Sequence, residues 1–273
     1  MNWPRERHIG RLGRQSGPVG VEEYDSGRMS HRLRVRATIA HFEAELRARS
    51  TEERAVGEKR YLKSDLDFLG ATVPTMRQVV KRWSRAEGLP DHATLWRLVD
   101  ALWRRRTHEL RMVGIELLTI ESEFLEAGDL KRIERLLRRA DTWAYVDPLA
   151  AQVAGGLLLR FPERLSELDR WVADDNFWIR RSSLLALMGP LKEDRPVWRR
   201  FAGYADRLLD EREFFIRKAI GWVLREVGKR RPDRVERFVA PRIDRIAGLT
   251  LREAVRYLPT ESRERLLAAC RDR

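Results

Sequence analysis

Cysteine is almost missing from this chain, with Cys270 the single thiol in 273 residues. One thiol excludes an intrachain disulfide and any thiolate metal cluster. Histidine is scarce as well, and His8, His31, His41, His92 and His108 follow no ligand spacing. No metal and no cofactor is therefore expected. No apolar run approaches the roughly 18–20 residues of a membrane span, and no apolar signal core stands near the N-terminus. The expected location is cytoplasmic, away from any membrane. A P-loop, a G-x-G-x-x-G fingerprint and a Cys/His metal pattern are all lacking, which sets aside the enzyme classes built on them. Runs of alternating β-branched residues between hairpin turns are missing too. Even lysine is rare, the seven being Lys59, Lys63, Lys81, Lys131, Lys192, Lys218 and Lys229.

Arginine is what the chain has in quantity, since it supplies the other 48 of 55 basic residues. Against 42 acidic residues the net charge is +13, and the isoelectric point is near 10.6. Such a field favours a polyanionic partner, nucleic acid above all. Both signs are interspersed along most helical segments, however, as solvated faces and i,i+4 pairs require.

Residues 1–30 hold Gly10, Gly13, Gly17, Gly20 and Gly27 among arginines without a sustained period, and are expected to form a flexible basic tail. From Leu33 onward the pattern is helical. Segments are expected near 33–48, 53–63, 75–87, 91–104, 107–125, 128–139, 143–160, 162–173, 176–188, 196–209, 213–229, 232–240 and 250–257. Consecutive helices joined by short loops pack as antiparallel neighbours. The expected fold is all-α, an α-solenoid of HEAT-like antiparallel helix pairs over residues 31–273.

Four stretches stand out. In EFFIRKAIGWVLRE, residues 213–226, Ile216, Ile220, Val223 and the following Val227 fall within roughly 60° of one another on a helix and mark a core stripe. Trp222 lies off that stripe, beside Phe215, Lys218 and Arg225, so an indole sits among cations on the outer face. In RYLKSDLDFLGATVPTMRQ, residues 60–78, Gly70 ends one helix and Pro74 starts the next, with Tyr61 just upstream. Most of the tryptophans that follow, such as Trp96 and Trp103, fall on apolar stripes with Val99 and are expected in the core, whereas Arg104 to Arg106 are solvated.

The stretch DTWAYVDP, residues 141–148, sets Trp143 and Asp147 four apart, on one face of a helix. A carboxylate beside an indole suits a cation. The same Asp147–Pro148 pair also fits an N-cap and N1 position for a helix carrying Leu149, Val153 and Leu157, and both readings stand at this point. In WVADDNFWIRRSSLLALM, residues 171–188, Asp175 or Asn176 caps a helix whose first turn carries Arg180 and Arg181. Cations there oppose the helix macrodipole, an arrangement that a phosphate bound at the same end would relieve.

Together these four stretches resemble the AlkD-like DNA alkylation repair glycosylases, over roughly residues 33–260. The resemblance implies HEAT-like repeats wrapped on duplex DNA containing alkylated bases, a monomeric enzyme, and hydrolysis of the N-glycosidic bond of cationic N3- or N7-alkylated purines. Asp147 matches the family's catalytic aspartate. Trp143 and Trp222 match its lesion-flanking tryptophans, and Tyr61 a tyrosine near the lesion. Arg181 matches an arginine that holds the DNA backbone, where Arg180, Lys218 and Arg225 are expected beside it. Ala144 and Pro148 depart from the family pattern and bear on how Asp147 is oriented. Two other readings remain from the sequence, a noncatalytic HEAT-repeat protein that binds damaged or structured DNA and a scaffold for another protein.

Overall fold

The computed structural model describes residues 23–87 and 91–271, with side chains from residue 34 onward. The first half comprises α1 (Glu23–Arg47), α2 (Glu52–Leu62), α3 (Val73–Glu87), α4 (His92–Trp103), α5 (His108–Ile120), α6 (Leu130–Arg139), α7 (Trp143–Pro148) and α8 (Gly155–Arg160). The second comprises α9 (Glu167–Trp171), α10 (Phe177–Leu185), α11 (Met188–Lys192), α12 (Trp198–Arg207), α13 (Phe214–Gly228), α14 (Pro232–Val239), α15 (Gly248–Ala254) and α16 (Thr260–Arg271). Among the described residues the only extended pairing is an isolated bridge between Asp67 and Thr107. The fold is all-α, with helix pairs stacked as an α-solenoid, as the sequence implied.

Three differences from the sequence expectation have local causes. Helix α1 begins at Glu23, so residues 23–30 of the expected tail are helical, while residues 1–22 lie outside the described residues. The helix expected over 143–160 is continuous but changes register. Pro148 has no N–H to donate to the preceding turn and its ring crowds the carbonyl there. The segment Leu149–Ala154 that follows is a π-helix, and the Gly155 N–H reaches the Ala150 carbonyl five residues back. Helix α16 was not expected, because Leu266 is the one residue it fully buries and its sequence shows little apolar period.

A single buried apolar core runs from Ile39 to Leu266. Ile216, Ile220 and Val223 of α13 are wholly inside it, as their spacing required, and Val227 is half-buried. Trp96, Val99 and Trp103 are core as well. Helix α13 lies between α10 and α15. Gly221 is the point of closest approach to α15, where a Cβ would sit 2.7 Å from the Glu253 Cβ and 2.9 Å from the Thr250 carbonyl oxygen. Gly70 is the other glycine that the backbone demands: its φ is +91° and a Cβ would lie 2.1 Å from the Thr51 carbonyl oxygen.

Ion pairs then link each repeat to the next. Arg77 holds Glu116 at 2.9 Å, 39 residues on. Arg180 holds Glu211 at 2.7 Å across 31 residues, Arg242 reaches Asp206 at 2.8 Å across 36, and Arg245 reaches Asp210 at 2.7 Å across 35. Glu134 binds Arg138, Arg170 and the Trp171 indole N–H. Burial alone would raise its pKa, but these three partners outweigh burial and hold it at about 2. These separations are the length of one helix pair. Where both partners face solvent, as in Arg245 and Asp210, such a pair contributes only about 0–1 kcal/mol, so burial of the apolar core carries most of the stability. Much of the arginine excess is thus engaged inside the molecule.

Candidate active site

Helix α7 is fixed from beneath. The Thr142 hydroxyl caps it by accepting the Ala144 N–H at 3.3 Å, and the buried Tyr145 shares a 2.8 Å hydrogen bond with His108 Nδ1 while its ring meets Trp103 at 5.4 Å. Burial pushes the His108 pKa down to about 4 and raises that of Tyr145, so both are neutral near neutral pH. With Tyr145 and Val146 facing inward, Trp143 and Asp147 project together from the opposite side, one turn apart. Asp147 lies in the last turn of α7 and not at its start. The capping alternative left by the sequence does not describe it.

What holds Asp147 is Arg181. Nε donates to Oδ1 at 2.8 Å and Nη2 to Oδ2 at 2.9 Å, a fork that fixes the carboxylate plane. Nη1 donates to the Phe215 carbonyl, and the guanidinium stands 5.8 Å from the Phe215 ring. The Arg181 side chain is only 4% exposed and Asp147 16%. Each carboxylate oxygen has a second lone-pair direction beyond the one that Arg181 occupies.

A cleft of about 330 Å³ opens above this pair. Trp143 and Tyr61 line one side, their rings edge to face with centroids 6.1 Å apart. Tyr61 is 73% exposed on α2, a helix that buries none of its residues. Trp222, Lys218 and Arg225 line the other side from α13, with Phe214 and Phe215 at that helix's first turn. The fold thus brings Asp147, Trp143, Trp222, Tyr61, Arg181, Lys218 and Arg225 around one cleft.

The cations differ in availability. Arg180 lies outside the cleft lining, its guanidinium bound to both oxygens of Glu211 and to the carbonyls of Asp174 and Asp175. These carbonyl and carboxylate acceptors, together with Asp147, neutralise the two arginines in the first turn of α10 without an external anion. Arg225 gives Nη1 to Glu253 at 2.5 Å. Lys218 is exposed and makes no ion pair among the described residues. Phe214, 51% exposed at the rim, and Glu253 on the wall were not singled out by the sequence. The double phenylalanine of EFFIRK was the available signal for the first; Glu253 offered none, because it reaches the cleft only through the contact of α15 with Gly221.

A family model described as DNA alkylation repair enzyme matches residues 42–258. A solved structure described as a "Predicted DNA alkylation repair enzyme from Enterococcus faecalis" is similar with a TM-score of 0.68 at 22% identity, over 78% of this chain and 98% of that one. The crystal structure of AlkD2 from Streptococcus mutans is similar with a TM-score of 0.53 at 15% identity, over 76% of this chain and all of that one. At such identities these two speak for the shared fold. A comparison with curated protein sequences finds no match.

Proposed function

Because the chain belongs to the DNA alkylation repair enzyme family, we propose that it is a monofunctional DNA glycosylase that hydrolyses the N-glycosidic bond of cationic N3- or N7-alkylated purines in duplex DNA. The observation that carries this reading is an anchored carboxylate, Asp147, in a cleft with Trp143 and Trp222 on its walls.

An alkylated purine of this class bears a positive charge, so when C1′–N breaks the electron pair neutralises the departing base and no general acid is needed. Positive charge then develops on the sugar. A preorganised carboxylate stabilises it, an effect worth on the order of 3–4 kcal/mol for one well-placed group. Asp147 supplies it and orients the attacking water, whose oxygen bonds to C1′ while its proton passes to solvent. Trp143 and Trp222 offer π faces to the same charge, worth about 1–2 kcal/mol when desolvated. Arg181 acts in this scheme as a positioning residue for Asp147, buried beneath it, and Lys218 is the cation available to a phosphate. A cleft of about 330 Å³ is near the lower end for enclosing a whole ligand, which supports attack from the backbone side without extraction of the base.

The test is release of free 7-methylguanine and 3-methyladenine from methylated duplex DNA. The wild type is expected to release them and Asp147→Asn to do so about 10²–10³-fold more slowly while still binding DNA. Equal rates for the two proteins would remove Asp147 from the chemistry. Duplex binding without base release by either would favour the noncatalytic alternative.

A further inference from the structure

Helix α16 lies wholly beyond residue 258, where the match to the family model ends. Between it and α15 runs a groove of about 410 Å³, floored by Leu249, Val255 and Leu267 and edged by Arg252, Arg256 and Arg263. Arg252 and Arg256 are exposed, four residues apart on continuous helical backbone, and Arg263 is half-buried on α16 across from them. In a chain whose arginines commonly hold a carboxylate of the neighbouring repeat, none of these three makes an ion pair or a side-chain hydrogen bond among the described residues. The acid on the same lining, Glu253, already accepts Arg225 at 2.5 Å. Three guanidiniums thus line a groove whose one carboxylate is already engaged, and an anion placed between them relieves their mutual repulsion. Glu253 lines the active-site cleft as well, so the groove and the cleft share α15 as a wall.

We propose that the α15–α16 groove is a second contact for the duplex, holding the phosphodiester backbone of one strand to one side of the lesion. This inference rests on the cleft being the lesion site. The guanidinium fork matches the oxygens of a phosphate, and the apolar floor matches the C–H faces of the deoxyribose between successive phosphates. Arg252 and Arg256 lie within the span of the family model, whereas Arg263 and Leu267 on α16 lie beyond it, so the wall that closes the groove is formed by the segment after residue 258.

The experiment is the salt dependence of binding to an undamaged duplex of about 25 base pairs, where each phosphate contact contributes about 0.9 to the slope of log K against log salt. The proteins are wild type, Arg252→Gln/Arg256→Gln/Arg263→Gln, the same three positions changed to Lys, and Asp147→Asn. The glutamine variant is expected to lower the slope by about 2–3 and to weaken low-salt binding at least about tenfold, while the lysine variant, which keeps the charge, holds the wild-type slope. Asp147→Asn is also expected to hold it. If the triple glutamine variant does not fold, Arg252→Gln/Arg256→Gln alters only exposed side chains and is expected to lower the slope by about 1–2. An unchanged slope in either glutamine variant overturns the proposal, even when base release by the wild type is intact. A lowered slope in a protein that releases no base supports the groove as a DNA contact and strikes the glycosylase reading alone.

Discussion

Replacing Arg181 by Ala tests the central geometry most directly. The guanidinium is 4% exposed and makes three contacts, two to Asp147 at 2.8 and 2.9 Å and one to the Phe215 carbonyl. Removing one partner of a buried pair costs roughly 3–5 kcal/mol, chiefly because the other charge is left without compensation. Asp147 opens on the cleft at 16% exposure, so water recovers part of that loss and the lower end, about 2–3 kcal/mol, is the appropriate figure. For a chain of this size that corresponds to a Tm lower by roughly 5–10 °C. Arg181→Lys keeps the charge but not the planar fork, and is expected to lose about half as much. Asp147→Asn buries an uncompensated guanidinium and costs a similar amount. The decisive measurement is the double variant, followed by urea and thermal unfolding. Removing both charges eliminates the penalty shared by the singles, so Asp147→Asn/Arg181→Ala should be more stable than their sum by about 1–3 kcal/mol. Additivity to within about 0.5 kcal/mol would refute the pairing as the source of the stability, whatever the activities of the variants.

Three further outcomes follow from the same structure. Gly221→Ala sets a Cβ 2.7 Å from the Glu253 Cβ and 2.9 Å from a backbone oxygen of α15; overpacking of this kind costs about 1–3 kcal/mol, so Tm and base release should fall together, and an unchanged Tm would show that α13 and α15 do not approach so closely. Trp143→Ala and Trp222→Ala should each slow base release by about tenfold, from a loss of about 1–2 kcal/mol of attraction to the charged lesion; full activity in both, in single-turnover assays, would remove the indoles from the site. His108 is neutral in the folded protein down to about pH 4, whereas the unfolded chain protonates it near pH 6.5. Unfolding therefore takes up a proton between those values, and stability falls as pH drops through that window. His108→Gln should flatten this dependence, and equal losses of urea midpoint between pH 7.5 and pH 5 in both proteins would contradict it.

Most of the helices were legible because they carry an apolar period, as Ile216, Ile220 and Val223 show. The side chains of the site were legible where a face could be computed from spacing: Trp222 off the core stripe of α13, and Trp143 and Asp147 one turn apart. What could not be read was whom each charge meets. The local sequence allowed Asp147 to be a helix cap or a carboxylate beside Trp143, and the contact that orients it is with Arg181, 34 residues away. Arg180 and Arg181 are adjacent in sequence, yet one meets Glu211 on the neighbouring repeat and the other faces back to Asp147 beneath the cleft. The first-turn arginines of α10 suggested a phosphate only because their internal acceptors, including the carbonyls of Asp174 and Asp175, were invisible. Helix α16 escaped for the opposite reason, since a helix that buries one residue leaves almost no period to detect.

The pair at the centre of the site belongs to the same series as the pairs that join the repeats. Arg77 to Glu116, Arg180 to Glu211 and Arg242 to Asp206 each span about one helix pair, and Arg181 to Asp147 spans 34 residues in the same manner. The Arg77 pair leaves its carboxylate, Glu116, buried and its arginine partly exposed. At Asp147 that order is reversed: the arginine is buried and the carboxylate is the member that faces open space between aromatic walls. Such an inversion needs no new motif, only a carboxylate one turn beyond Trp143 and an arginine placed below it. It also ties the chemistry to the stacking of the repeats. Any change that slides α10 against α7 moves the Asp147 oxygens with the fork that holds them, so the orientation of the carboxylate depends on the packing of the repeats beneath it.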